Sequence, residues 1–176
     1  IRVSVSYTTK SMRPGDVEGV DYHFVNEAQF QSMIDSQDFV EHATVFSHHY
    51  GTSKQWLLDQ LSGGTDVVLE IDWQGARLIK QVFPDACLIN ILPPSMAALE
   101  ERLINRNQDA TSVVAARMAA AQSEMSHCHE FDFVIINDVF EQAVIELKSV
   151  VVAQRLRTAV MLEKHQKLLA ELTQNG

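Results

Sequence analysis

The chain has 176 residues, 46% hydrophobic and 21% charged, a composition that suits one well-buried core and excludes a disordered or low-complexity chain. Its 14 basic and 23 acidic residues leave a net charge of −9, which excludes broad attraction to nucleic acid or anionic membrane, so an anionic ligand needs a local cluster of Arg and Lys. Cys87 and Cys128 stand alone without C-x-x-C spacing, against a disulfide framework or zinc site and in favour of a reducing cytoplasm, and no apolar run reaches the roughly 18 residues of a membrane helix.

The opening IRVSVS alternates apolar and polar residues as a strand does, and TTKSMRPGDVEG supplies the Pro and Gly of a surface loop. A strand already under way at Ile1 leads us to expect a longer product. YHFV reads as a short strand, and Asn26 with Gln29 has the spacing of a capping box for a helix whose stripe is Phe30, Met33 and Ile34. FVEHATVF follows as another strand. Up to about Tyr50 the strands are short and rich in ionisable groups, the texture of a small exposed lobe.

From Ser53 the texture changes. A helix carrying Trp56, Leu57 and Leu61 ends at Gly63-Gly64, and the nearly continuous apolar run DVVLEID predicts a buried parallel strand. QGARLIKQVF predicts a helix, CLINIL a second buried strand, and Pro93-Pro94-Ser95 a stop followed by a helix cap. A helical stretch from about Ser112 to His127 precedes a third buried strand, FDFVIIN, and the chain from Glu141 reads as helical. Strand and helix alternate as in a doubly wound α/β fold.

Several segments carry chemistry. Ser6, Thr8, Thr9, Lys10, Arg13 and Tyr22 surround a Gly-containing turn: either a cradle for a phosphate monoester, with cations neutralising its oxygens and hydroxyls completing the shell, or a solvated polar loop. Glu41 interrupts an otherwise strand-like run. A carboxylate there can accept from the adjacent N1–H and amino donors of guanine, whereas adenine offers an acceptor at N1; the alternative is an outward-facing strand residue. HYGTS sets Tyr50 and Thr52 on either side of a glycine just before a helix cap, so either a phenol and a hydroxyl face one ligand or the segment marks only a turn. Glu70 and Asp72 end the LEIDWQG strand at the edge where ligands of open α/β sheets bind, and Asp72 also suits a helix N-cap. Arg102 and Arg106, four apart, and Arg117 on the next helix form either a phosphate-covering lid or a solvated charged face.

In this order, VSVSYTTKSMRPGDVEGVDYHFV, FVEHATVF, HYGTS, LEIDWQGA, ILPPS, RLINRNQD, AARMAAAQSEMSH and VIIND resemble a guanylate kinase of the bacterial type over essentially the whole chain. The resemblance implies a P-loop nucleoside-monophosphate-kinase-like α/β fold: a parallel sheet core with helices on both faces, a small mixed α/β GMP-binding lobe and a helical lid. It divides the chain into a core strand at 1–5, the GMP lobe at 6–56, core at 57–93, lid at 94–127, and core with C-terminal helices at 128–176. It implies that Lys10, Arg13, Tyr22 and Tyr50 hold the GMP phosphate, that Ser6, Glu41 and Thr52 read guanine, and that Glu70 and Asp72 sit beside GMP, Asp72 also touching the water shell of Mg2+. Arg102, Arg106 and Arg117 would close over the transferring phosphoryl, with Arg102 also on ATP, and Asn137 would lie near adenine. The implied partners are the small molecules GMP and ATP, with neither nucleic acid nor membrane, and a homo-oligomer is compatible.

Two departures stand out. Thr8-Thr9-Lys10 replaces the family's TTR, keeping the charge but losing the two-pronged guanidinium. No Gly-Lys dipeptide occurs, so the family's Walker-type loop is expected upstream of these residues, which should not catalyse transfer alone. The competing readings are a catalytically inactive guanylate-kinase-like scaffold domain, for which a lost phosphate loop is the signature, and a kinase for another nucleoside monophosphate, against which Glu41 speaks.

Overall fold

The computed structural model describes residues 1–105 and 111–173, which fall into two compact units, Ile1–Ala86 and Cys87–Gly176. In the first unit the strands are β1 (Arg2–Val3), β2 (Tyr7–Thr8), β3 (His23–Phe24), β4 (Phe39–Val45), β5 (His48–Ser53) and β6 (Val67–Val68). Its helices are α1 (Glu27–Asp35), α2 (Lys54–Ser62) and α3 (Trp73–Val82). A four-stranded sheet runs in the order β3-β2-β5-β4, with β2 and β3 parallel and the other pairs antiparallel; β1 pairs with β6 in parallel.

Each of these three helices begins where a side chain can take an orphaned backbone N–H. Asn26 and Gln29 form the expected reciprocal capping box on α1, Ser53 caps α2 through Trp56 N, and Asp72 caps α3 through Gly75 N. Gly63 ends α2, as its sequence suggests.

The β4–β5 hairpin sets the faces of this sheet. Val45 pairs with His48, so the loop is Phe46 and Ser47 alone, with φ of 46° and 67°, the left-handed pair that matches strand twist. From the loop the register is regular as far as Glu41 opposite Thr52, and then Phe39 rather than Val40 faces Ser53. Val40 is therefore the extra residue of a β-bulge. Without it Phe39 and Glu41, two apart, would share a face. With it, the Phe39 ring turns toward Gly51, where an added Cβ would lie 2.8 Å from it, and meets Phe30 of α1 at 4.6 Å between centroids. Phe30, 1% exposed, also stacks on His49, and this aromatic cluster anchors α1 beneath the sheet. Glu41 points to the opposite face, where α3 packs on β4.

The second unit holds β7 (Ile89–Leu92), α4 (Met96–Asn105), α5 (Thr111–Ser126), a 3-10 turn (His127–Glu130), β8 (Phe133–Ile136), α6 (Phe140–Arg155), α7 (Thr158–Lys164) and α8 (Gln166–Thr173). β7 and β8 pair in parallel, α4 packs on α5, and Ser95 caps α4 through Ala98 N. Asp132 fastens the start of β7 by accepting from Leu88 N at 2.8 Å. Among the described residues of this unit, Leu88, Val114, Ala121, Ile135 and Ala143 are the buried apolar side chains.

The strand expectations need one correction. DVVLEID forms pairing only at Val67–Val68 and IRVSVS only at Arg2–Val3, and Val68 is 38% exposed. In β8 only Ile135 is buried. Apolar residues on both faces of these strands read as burial on both, yet alternate side chains point oppositely, and Ile135 is the one that is covered.

Candidate functional site

One face of the first unit's sheet gathers Ser6, Thr8, Tyr22, Glu41, Tyr50 and Thr52 from among the residues singled out above. Register places Glu41 opposite Thr52, Ala43 opposite Tyr50, and Thr8 opposite Tyr50, so Tyr50, Thr52 and Glu41 share a face with Thr8. Continuing the β2 register by one residue brings Ser6 onto that face across from Thr52, and continuing β3 brings Tyr22 there too. The rings of Tyr22 and Tyr50 meet edge to face at 6.0 Å.

At the centre is Glu41, 4% exposed and not outward-facing. Thr52, wholly buried, donates its hydroxyl to Glu41 Oε1 at 2.6 Å. Burial pushes the Glu41 carboxyl above its ordinary 4.5, and the nearby Asp72 charge pushes the same way, while hydrogen bonds from Thr52 pull it down. Asp72 accepts from Gly75 N on Oδ1 and from Gln74 Nε2 on Oδ2, each at 2.9 Å, so its capping role is realised. Glu70 lies exposed two residues earlier.

A second cluster surrounds Lys10. Its ammonium sits 3.0 Å from Asp16 Oδ2 and 5.0 Å from the centroid of the Tyr22 ring. The same Asp16 oxygen accepts from the Arg13 backbone N–H at 2.9 Å. These two bonds hold the Asp16 carboxyl below its ordinary 3.8, the backbone N–H contributing most. Lys10, Tyr22 and Tyr50 are thus brought together, with the Arg13 backbone tied to the same turn.

Thr8 and Thr9 do different work from that expected of phosphate-shell hydroxyls. Thr8 Oγ1 donates to His49 O at 2.9 Å and Thr9 Oγ1 accepts from His49 N at 3.0 Å, pinning β2 to β5. Two residues of the site were missed. Asp16 closes the Pro14-Gly15 turn, its N–H donating to Arg13 O at 3.0 Å, a turn signal present in RPGD; Gly75 gave none beyond a glycine inside a helix.

In the second unit Arg102 lies on α4 and donates to Asn137 O at 2.7 Å and, more weakly, to Asp138 O at 3.4 Å. This joins it to the end of β8, beside Asn137. Arg117 is half-buried on α5. Arg106 falls outside the described residues.

Among the described residues no three or more His, Cys, Asp or Glu side chains gather as a direct metal cage. Asp72 still has lone pairs free beyond its two protein donors, which fits holding a metal ion through water and not by direct ligation. No described helix is long and apolar enough to cross a membrane, and Cys87 and Cys128 are not joined in a disulfide.

Residues 1–154 match the family described as guanylate kinase. The chain is 52% identical over 174 residues to a guanylate kinase of Coxiella burnetii, covering 99% of this chain and 84% of that one. It is 53% identical over 172 residues to one of Legionella pneumophila, covering 98% and 82%. A crystal structure of guanylate kinase from Anaplasma phagocytophilum superposes with a TM-score of 0.78 at 31% identity, over 92% of this chain and 83% of that one.

Proposed function

This chain belongs to the guanylate kinase family, of the bacterial type, and from that membership we infer that it transfers a phosphoryl group from ATP to GMP, giving ADP and GDP. The observation that carries the reading at the level of chemistry is Glu41: a buried carboxylate kept in place by Thr52 on a face shared with Ser6, Tyr22 and Tyr50.

Glu41 accepts the N1–H and amino donors of guanine, with Ser6 and Thr52 completing the base contacts. Lys10, Arg13, Tyr22 and Tyr50 take the GMP phosphate, the ammonium neutralising charge and the phenols donating. The acceptor oxygen belongs to an already ionised phosphate, so no general base is required, and catalysis consists of positioning and charge neutralisation. Asp72, with Glu70 nearby, orients the water shell of Mg2+, which when bound with ATP offsets phosphate charge. Arg102, Arg106 and Arg117 neutralise the oxygens of the transferring phosphoryl, and Asn137 lies by adenine.

No Gly-Lys dipeptide occurs in residues 1–176, so these residues alone lack the ammonium that a P-loop supplies to ATP and are expected to transfer slowly or not at all. The enzyme is proposed to act in the cytoplasm, in purine nucleotide metabolism, on small molecules only. Steady-state assay of the full-length protein with ATP and each of GMP, AMP, CMP and UMP tests the reading. GMP is expected to be strongly preferred; AMP turnover equal to that of GMP overturns it.

A further inference from the structure

Gly75 stands inside the first turn of α3, three residues after the Asp72 cap, with the ordinary negative φ of a helix. Nothing in its backbone requires glycine, and alanine would favour the helix more. The reason lies in space. A Cβ built at Gly75 would stand 2.7 Å from Glu41 Oε2, 3.3 Å from Glu41 Cδ and 3.2 Å from Ile71 Cβ. A carboxylate at the end of a flexible side chain could ordinarily swing away from such a methyl. Glu41 cannot do so cheaply, because its other oxygen is bonded to Thr52 at 2.6 Å and the residue is 4% exposed. The carboxylate is gripped between the Thr52 hydroxyl and the bare Cα of Gly75.

We propose that Gly75 is a specificity-determining positioning residue: its missing side chain leaves the notch in which the Glu41 carboxylate stands, and so fixes where that carboxylate meets the base. The proposal rests on the reading of Glu41 as the guanine acceptor. A methyl at this position drives Oε2 out of line with one of two adjacent donors, so its effect grows with the number of donors the base presents. Guanine presents two at this edge. Hypoxanthine, which lacks the amino group, presents one.

The test is calorimetric titration of the full-length protein and its Gly75→Ala, Glu41→Gln, Glu41→Asp and Gly75→Ala/Glu41→Asp variants with GMP, IMP and ATP, together with their thermal midpoints. Gly75→Ala is expected to weaken GMP binding roughly 10- to 100-fold, to narrow the preference for GMP over IMP, and to leave ATP affinity unchanged. Glu41→Asp withdraws the carboxylate by one methylene and makes room for the methyl, so the double variant is expected to bind GMP no more weakly than Glu41→Asp alone. A Gly75→Ala protein with wild-type GMP affinity, or one that loses GMP, IMP and ATP in equal proportion as its midpoint falls, overturns the proposal. A double variant weaker than Glu41→Asp by the full Gly75→Ala factor overturns it as well. Wild-type GMP affinity in Glu41→Gln instead removes the underlying reading of Glu41, an outcome distinct from failure of the Gly75 variant.

Discussion

The hydroxyl of Thr52 lies 2.6 Å from Glu41 Oε1, a bond between two strand neighbours that are both withdrawn from solvent. A hydrogen bond to a buried charged acceptor contributes about 1.5–3 kcal/mol. Thr52→Val keeps the shape and removes the donor, and is expected to weaken GMP binding by roughly 10- to 100-fold while sparing ATP. Calorimetry with the two nucleotides checks it. Equal loss for both would make the pair part of the strand scaffold.

On the proposed reading, Glu41→Gln replaces an acceptor oxygen with an amide that would meet one guanine donor with another. Loss of kcat/KM for GMP of roughly 10- to 1000-fold is expected, with poorer discrimination against AMP and an unchanged KM for ATP. Steady-state kinetics with each nucleotide varied in turn measures all three. Unchanged GMP kinetics would show that the carboxylate does not touch the base.

The pH dependence follows from the direction of the Glu41 shift. Its carboxyl is raised above 4.5, chiefly by burial, so between 4.5 and the higher folded value the native state binds more protons than the unfolded one. Stability from this group is therefore fully present below 4.5 and is lost as pH rises through the folded value. Glu41→Gln should remove that loss, so its thermal midpoint should gain on wild type as pH increases. GMP affinity should run the other way, falling as Glu41 is protonated. Midpoints and GMP titrations across the acid range test both; a pH-independent difference between the two proteins contradicts the assignment.

The Lys10 ammonium is held by Asp16, and on the proposed reading it also meets the GMP phosphate. Arginine carries five donors in a planar fork and can serve both anions, so Lys10→Arg is expected to tighten GMP binding by roughly 3- to 10-fold. Calorimetric titration of both proteins decides. Equal or weaker affinity would show that the Asp16 and Tyr22 surroundings are fitted to lysine.

Arg102→Ala removes a cation proposed to stabilise the transferring phosphoryl and also frees the carbonyls of Asn137 and Asp138. A fall in kcat of roughly 100- to 1000-fold is expected, the size seen when one preorganised donor is lost. The thermal midpoint separates the two roles. A lower midpoint with unchanged kcat would make Arg102 a clasp on β8 and nothing more.

Much of this was legible in the sequence because it depends on short-range chemistry. The capping box at Asn26 and Gln29, the caps at Asp72 and Ser95 and the stop at Gly63 need only local hydrogen-bonding and backbone preferences. The gathering of Tyr50 and Thr52 on one face follows from a period of two. Illegible were features set by distant partners: the use of Thr8 and Thr9 to pin His49, the capture of Lys10 by Asp16, and the approach of Glu41 to Gly75. Apolar runs also overstated burial, since hydrophobicity does not say how many faces of a strand are covered, as Val68 and β8 show.

The bulge at Val40 makes the arrangement around Glu41 a matter of parity. Phe39 and Glu41 are an even number of residues apart yet answer to opposite sides, one to the aromatic cluster under α1 and the other to α3. Removing Val40 would make them neighbours, which a regular strand sends to opposite faces, whereas straightening the bulge with all three residues kept makes the two ends of β4 compete for a single frame. If the hairpin keeps its frame, Phe39 is lifted off Phe30 and α1 loses its anchor; if the aromatic cluster keeps its own, Glu41 is turned away from Thr52. The facing of the two side chains is therefore constrained more tightly than the number of residues between them, and deletion of Val40 should be tolerated better than a change of register between β4 and β5.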